Sequence, residues 1–192
     1  MLKNKFISFI ILGTITYSAS FVGAISTISY KEPWYSTLNK ASFNPPDWIF
    51  APVWTTLYLF MTIAIWSAWH KNTKDIGLVF IYLIHIFFNT TWSIVFFVMH
   101  DIFVALVNII IIILFILFLM NKYKPLSKLS YNLMIPYLLW TVYALILNTS
   151  LLVLNYKEEE RFRAQGFNDF IVFSIQATAS LTAGIVLSFT SW

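Results

Sequence analysis

Residues 34–58 read WYSTLNKASFNPPDWIFAPVWTTLY, a charged, proline-broken loop running straight into an apolar helix. Pro45 and Pro46 break any helix crossing the loop, because proline lacks the N–H and clashes with the preceding turn. Asp47 follows them directly, as an N-cap would, so a helix over residues 48–69 is predicted. Trp34, Tyr35, Trp48, Trp54 and Tyr58 gather where loop meets helix. Rings with an apolar body and a polar edge collect at such a boundary when the helix enters lipid.

Outward from this stretch, the chain reads as further membrane spans. Upstream, residues 6–28 are apolar apart from small hydroxyl side chains and follow a basic start. That length crosses a hydrocarbon core of about 30 Å as a helix. The small residues Ser18, Ala19 and Ser20 could end a signal peptide, but the apolar run continues past them, which favours an uncleaved span. Downstream, spans are predicted over residues 76–99, 102–120 and 133–154. His100 and Asp101 alone separate two of these, so that pair forms a tight antiparallel hairpin. Residues 109–120 carry no polar side chain and are expected to face lipid; residues 121–132, with Lys122, Lys124 and Lys128, read as a loop.

Composition agrees. Of 192 residues, 59% are hydrophobic and 10% charged, too few to cover a water-facing globule. Without cysteine there is neither a disulfide framework nor a thiolate ligand or nucleophile. The formal charge of +4 is scattered and offers no nucleic-acid footprint. Lysines cluster at the amino end and in the second and fourth loops, while the first and third hold only Lys31 and Lys40. The positive-inside rule then predicts a cytoplasmic N-terminus and an aromatic loop on the opposite face. The fold expected is an all-α integral membrane protein, a five-helix bundle over residues 1–155, with an extra C-terminal hydrophobic helix.

Trp34, Tyr35, Leu38, Lys40, Pro45, Pro46, Trp48, Phe50, Val53, Trp54, Leu57 and Tyr58 together resemble the signature of the tryptophan-rich sensory protein or translocator protein family, also called the peripheral benzodiazepine receptor family. The one departure is Ala41, where that family usually has proline. Asn89, Trp92, Phe96 and Phe97 resemble its third helix, with His85 where glutamine is common. Pro136, Tyr137, Trp140, Ala144, Leu147 and Asn148 resemble its fifth.

Spacing puts His85, Asn89, Trp92 and Phe96 on one helical face, Phe50, Trp54 and Tyr58 on another, and Tyr137, Trp140 and Ala144 on a third. Three aromatic faces with few polar atoms suit a pocket for a flat, largely apolar ligand, and equally an aromatic bundle core. His85 is either a satisfied buried polar group or a ligand to a haem iron. The resemblance implies the pocket, capped by the loop around Trp34, Tyr35, Pro45 and Pro46, with protoporphyrin or haem as ligand alongside benzodiazepine-type compounds. It also implies a bacterial cytoplasmic membrane, and light-dependent porphyrin breakdown in which Trp54 and Trp140 take part. Cholesterol is not implied, since Thr149 and Ser150 supply neither the tyrosine nor the basic residue its recognition stretch needs.

No metal site, required cofactor, or hydrolase or transferase constellation is apparent: the three histidines fall at different levels and the spans lack Asp and Glu. Two other readings stand beside the receptor. One is efflux of porphyrin-like compounds, for which His85 is the sole candidate for ion coupling. The other is a scaffold, where Gly13, Ala19 and Gly23 would permit close helix contact in a homodimer.

After Asn155 the character changes. Residues 156–163 are highly charged, and EEERFRAQGFNDF with the apolar stretch after it resembles a late loop and helix of major-facilitator transporters. A fused fragment, or a sixth helix packed through Ala177, Ser180, Ala183 and Gly184, is expected there.

Overall fold

The computed structural model describes residues 4–72 and 75–155. The chain divides into two compact units, Met1–Leu151 and Leu152–Trp192, and the bundle with its cavity belongs to the first. The transporter-like tail lies outside the described residues.

Among the described residues six α-helices follow in order: α1 (Lys5–Tyr30), the short α2 (Trp34–Thr37), α3 (Phe50–Lys71), α4 (Ile76–Ser93), α5 (Ile102–Tyr123) and α6 (Lys128–Asn155). A 3₁₀ turn, Asp47–Ile49, leads into α3, and a π-helical turn, Ile94–Val98, extends α4. No strand occurs among the described residues. Five of these described helices, all but α2, are long and apolar enough to cross a membrane. In such a solvent every backbone group must be satisfied within the helix, so the chain spends its polar residues at the ends. Asn4 caps α1 by accepting from Phe6 N at 2.9 Å, Asp75 caps α4 through Leu78 N at 3.0 Å, and Asp101 caps α5 through Val104 N at 2.9 Å. Ser127 Oγ accepts from Ser130 N at 3.2 Å in the first turn of α6.

Three expectations are corrected. Residues 121–132 are mostly helical: α5 continues to Tyr123 and α6 begins at Lys128, leaving a turn closed by Ser127 N donating to Tyr123 O at 2.8 Å. Residues 109–120 do not simply face lipid, since Ile109, Ile112, Ile116, Leu119 and Met120 are buried while Leu114, Leu117 and Phe118 are exposed. A run apolar on every face carries no periodic signal to say which side packs inward. Asp47 makes no cap bond to α3; its carboxylate pairs with Lys31.

The bundle is held by pairwise packing of α1 with α3 and α4, and of α4 with α5. Polar cross-ties sit on this frame. Thr16 Oγ1 and Tyr82 Oη are 2.6 Å apart, joining α1 to α4; Ser8 Oγ and His70 Nε2 are 2.7 Å apart, joining α1 to α3. Asn148 Nδ2 donates to the Ile102 carbonyl at 2.8 Å, fixing α6 against the start of α5. The π-helical turn widens α4 by one residue, so the neighbours Phe96 and Phe97 are both buried, 2% and 8% exposed.

Candidate functional site

Where α1, α3, α4 and α6 approach the first loop, they enclose a cavity of about 320 Å³. That volume is at the lower end of small-molecule sites. Phe50, Trp54 and Tyr58 line it from α3, and Asn89, Trp92, Phe96 and Phe97 from α4 and its π-helical turn. Ala144, Leu147 and Asn148 come from α6; Ser20, Gly23, Ala24 and Thr27 come from α1. Lys31, Tyr35, Asn44 and Asp47 close the loop end. Ala24 and Ile28 on α1 and Ala51 and Thr55 on α3 line the cavity while remaining exposed, so its mouth lies between those two helices.

The floor is a chain of buried hydrogen bonds. Tyr58 Oη donates to Asn89 Oδ1 at 2.5 Å, and Asn89 Nδ2 donates to Tyr137 Oη at 2.7 Å. Tyr137 Oη and His85 Nε2 are 2.8 Å apart, which extends the line of bonds to the imidazole. His85 is 0% exposed and its Nδ1 has no hydrogen-bond partner. Polar groups so placed in a membrane bundle are costly unless joined, and here one line of bonds joins three helices.

The roof is aromatic and cationic. Tyr35 packs edge-on against Phe96 and Phe97, with centroids 6.2 and 6.1 Å apart, and Trp34 stacks on His100 at 4.3 Å. His100 takes φ 55°, a left-handed turn that joins the third and fourth spans and presents its ring to Trp34. Lys40 Nζ lies 4.4 Å and Lys31 Nζ 5.4 Å from the Tyr35 ring centre, a cation–π contact from each. Burial raises the Tyr35 phenol above its ordinary pKa. Burial would lower the Lys31 ammonium, but the hydrogen bond and charge of Asp47, helped by Glu32, outweigh it and hold the pKa above the usual lysine value. The turn at Ala41 forms without the usual proline, closed by Asn44 N donating to Ala41 O at 2.9 Å.

Residues 10–154 match the TspO/MBR family. The chain belongs to that family. Among its relatives is the tryptophan-rich protein TspO of Chlorobaculum tepidum, 37% identical over 142 residues, covering 72% of this chain and 89% of that one. The tryptophan-rich protein TspO of Archaeoglobus fulgidus is 32% identical, covering 70% of this chain and 88% of its own. The Homo sapiens translocator protein is 29% identical over 119 residues, covering 60% and 70%. A family member with five spanning helices is an integral membrane protein.

In this TspO/MBR bundle the structure gathers Tyr35, Phe50, Trp54, Tyr58, Asn89, Trp92, Phe96 and Ala144 around one cavity. Trp34 stands behind Phe96, at 5.3 Å between ring centres, and Pro45 and Pro46 shape the loop without lining the space. His85 and Tyr137 lie beneath the floor, joined to it through Asn89. Trp140 does not share the inward face of Tyr137 and Ala144. It lines a separate groove with Pro52, Phe60, Pro136 and Tyr143, and reaches the cavity only through the edge of Phe50, 5.9 Å away. Three residues along a helix is a rotation of about 300°, and that offset suffices to turn a ring outward. Reading by aromatic residues missed the α1 wall. Its signal was the recurrence of Ser20, Gly23, Ala24 and Thr27 at spacings of three and four, small side chains that leave room. Among the described residues no group of three His, Asp or Glu is placed to hold a metal ion.

Proposed function

We propose that this TspO/MBR protein is a receptor for porphyrin-type tetrapyrroles, bound in the aromatic cavity beneath the first loop. The observation that carries this reading is the wall of Phe50, Trp54, Trp92, Phe96 and Tyr35 around one space whose directed polar atoms are few. Flat aromatic surface gives stacking area, and the sparse polar groups fix orientation. A flat macrocycle would enter edge-on through the mouth between α1 and α3. Benzodiazepine-type compounds would fill the same space.

Light-dependent breakdown of the bound porphyrin would draw on an oxidisable indole in contact with it. Trp54 and Trp92 are the cavity indoles, and Trp140 stands one ring further out. The family resemblance supports a bacterial cytoplasmic membrane, and lysine placement supports a cytoplasmic N-terminus with the first loop at the opposite face.

Titration of the protein's tryptophan fluorescence with protoporphyrin in the dark tests the reading. Saturable quenching, weakened roughly tenfold or more in Trp54→Ala, is expected for loss of a stacking wall. Absence of saturable binding would rule the receptor out and leave the scaffold. If porphyrin loss under light persists in Trp54→Phe with Trp92→Phe, the breakdown role is wrong.

A further inference from the structure

We infer that Lys31 is the anchor for a carboxylate on the ligand's trailing edge, and that Asp47 holds that place until the ligand displaces it. The inference rests on the porphyrin-receptor reading and names the chemistry it selects.

Lys31 and Asp47 both line the cavity at its loop end and form an ion pair with one another, with Glu32 Oε1 3.5 Å from the same ammonium. The two partners are unequally held. The Lys31 side chain is 22% exposed, and its Nζ stands over Tyr35; the Asp47 side chain is 58% exposed. Asp47 can therefore swing to water, where its charge is well solvated, while Lys31 stays in the wall. With Asp47 swung out, the ammonium keeps only the longer contact to the exposed Glu32 at 3.5 Å, so a second anion at the vacated place is favoured. The occupant already there is a carboxylate.

The rest of the lining favours an amphipathic guest. Away from Lys31 and Asp47 the walls are rings, aliphatic and small side chains and amides, and among the described residues no other ionisable group lines the cavity except the tyrosines. A molecule with an apolar aromatic body and its acids along one edge matches this polarity if the body goes in first. Protoporphyrin has that pattern, and its dimethyl ester keeps the body and loses the charge.

The test compares protoporphyrin with its dimethyl ester in nanodiscs of zwitterionic lipid, in the dark, for the full chain and for Lys31→Gln and Asp47→Asn. The free acid is expected to bind roughly tenfold more tightly than the ester, as one charge-assisted contact would give. Lys31→Gln should bring that ratio to about one by weakening the acid alone, and Asp47→Asn should strengthen the acid several-fold. Thermal midpoints close to that of the unaltered protein in both variants show that the fold is intact. Equal binding of acid and ester by the unaltered protein overturns the anchor and leaves the receptor standing, as does a ratio that survives Lys31→Gln. Failure of both probes to bind overturns the anchor together with the receptor reading.

Discussion

The two ends of this bundle are built from the same helices and meet in opposite ways. Away from the first loop, Met61, Ala64, Ile65 and Ala68 of α3 join Leu78 and Tyr82 of α4, Ile116, Leu119 and Tyr123 of α5 and Met134 of α6 in one core cluster, each at most 2% exposed. Toward the loop, Trp54 and Trp92 are half-buried around open space. Alanine and branched aliphatic side chains interdigitate at close helix spacing. Rigid rings at Phe50, Trp54, Trp92 and Phe96 hold helices apart and cannot fold into the gap opposite the small residues of α1. The line from Tyr58 through Asn89 and Tyr137 to His85 divides the two ends, so packing strength belongs to one side and binding to the other.

That division can be broken most forcefully in the packed end. Ile65→Ala is expected to cost about 2–4 kcal/mol, as truncation of a fully buried aliphatic does, read as a lower thermal midpoint in detergent while porphyrin affinity is kept. At the boundary, Tyr137→Phe removes the hydroxyl between Asn89 and His85 and should cost about 1–3 kcal/mol by the same measurement. If Ile65→Ala abolishes binding without loss of stability, the two ends are not separable. Filling the open end sharpens the contrast from the other side. Ala144→Phe should cut protoporphyrin affinity roughly tenfold or more in the fluorescence titration, with a stability change under about 1 kcal/mol, because the ring enters space.

The smallest effect is expected at Gly23. A Cβ built there would stand 3.2 Å from Ser93 Oγ, tight for α1 against α4. Gly23→Ala should therefore move the thermal midpoint only slightly, about 0.5–1 kcal/mol either way, since helix propensity offsets the contact. The pair Gly23→Ala with Ser93→Ala is expected to be the more stable of the two variants. A large loss that Ser93→Ala does not relieve would mean that the α1 wall is packed differently from the arrangement around the cavity described above.

Much of the site was legible because membrane helices have simple periods. Phe50, Trp54 and Tyr58 recur every four residues, and all three line the cavity. His85 and Asn89 likewise share a buried face, joined through Tyr137. Trp140 shows the limit: its residue type marks it as an aromatic of interest, while its rotation on α6 places it in the outer groove. The Lys31–Asp47 pair joins residues sixteen positions apart across a loop without periodicity, and no local pattern could match them.

Five crossings, the loop that interrupts them and the aromatic residues available to a ligand were readable from the residues alone, because apolar length, proline and helical spacing act locally. Which of those rings face a common space, and that α1 supplies its open wall, came from the packing of the helices. The same packing set which face of the uniformly apolar run 109–120 of α5 is buried, and brought Phe96 and Phe97 inward together through a π-helical turn. Each of these depends on the rotation of one helix against another, a quantity set by the sum of many weak contacts and written in no single segment.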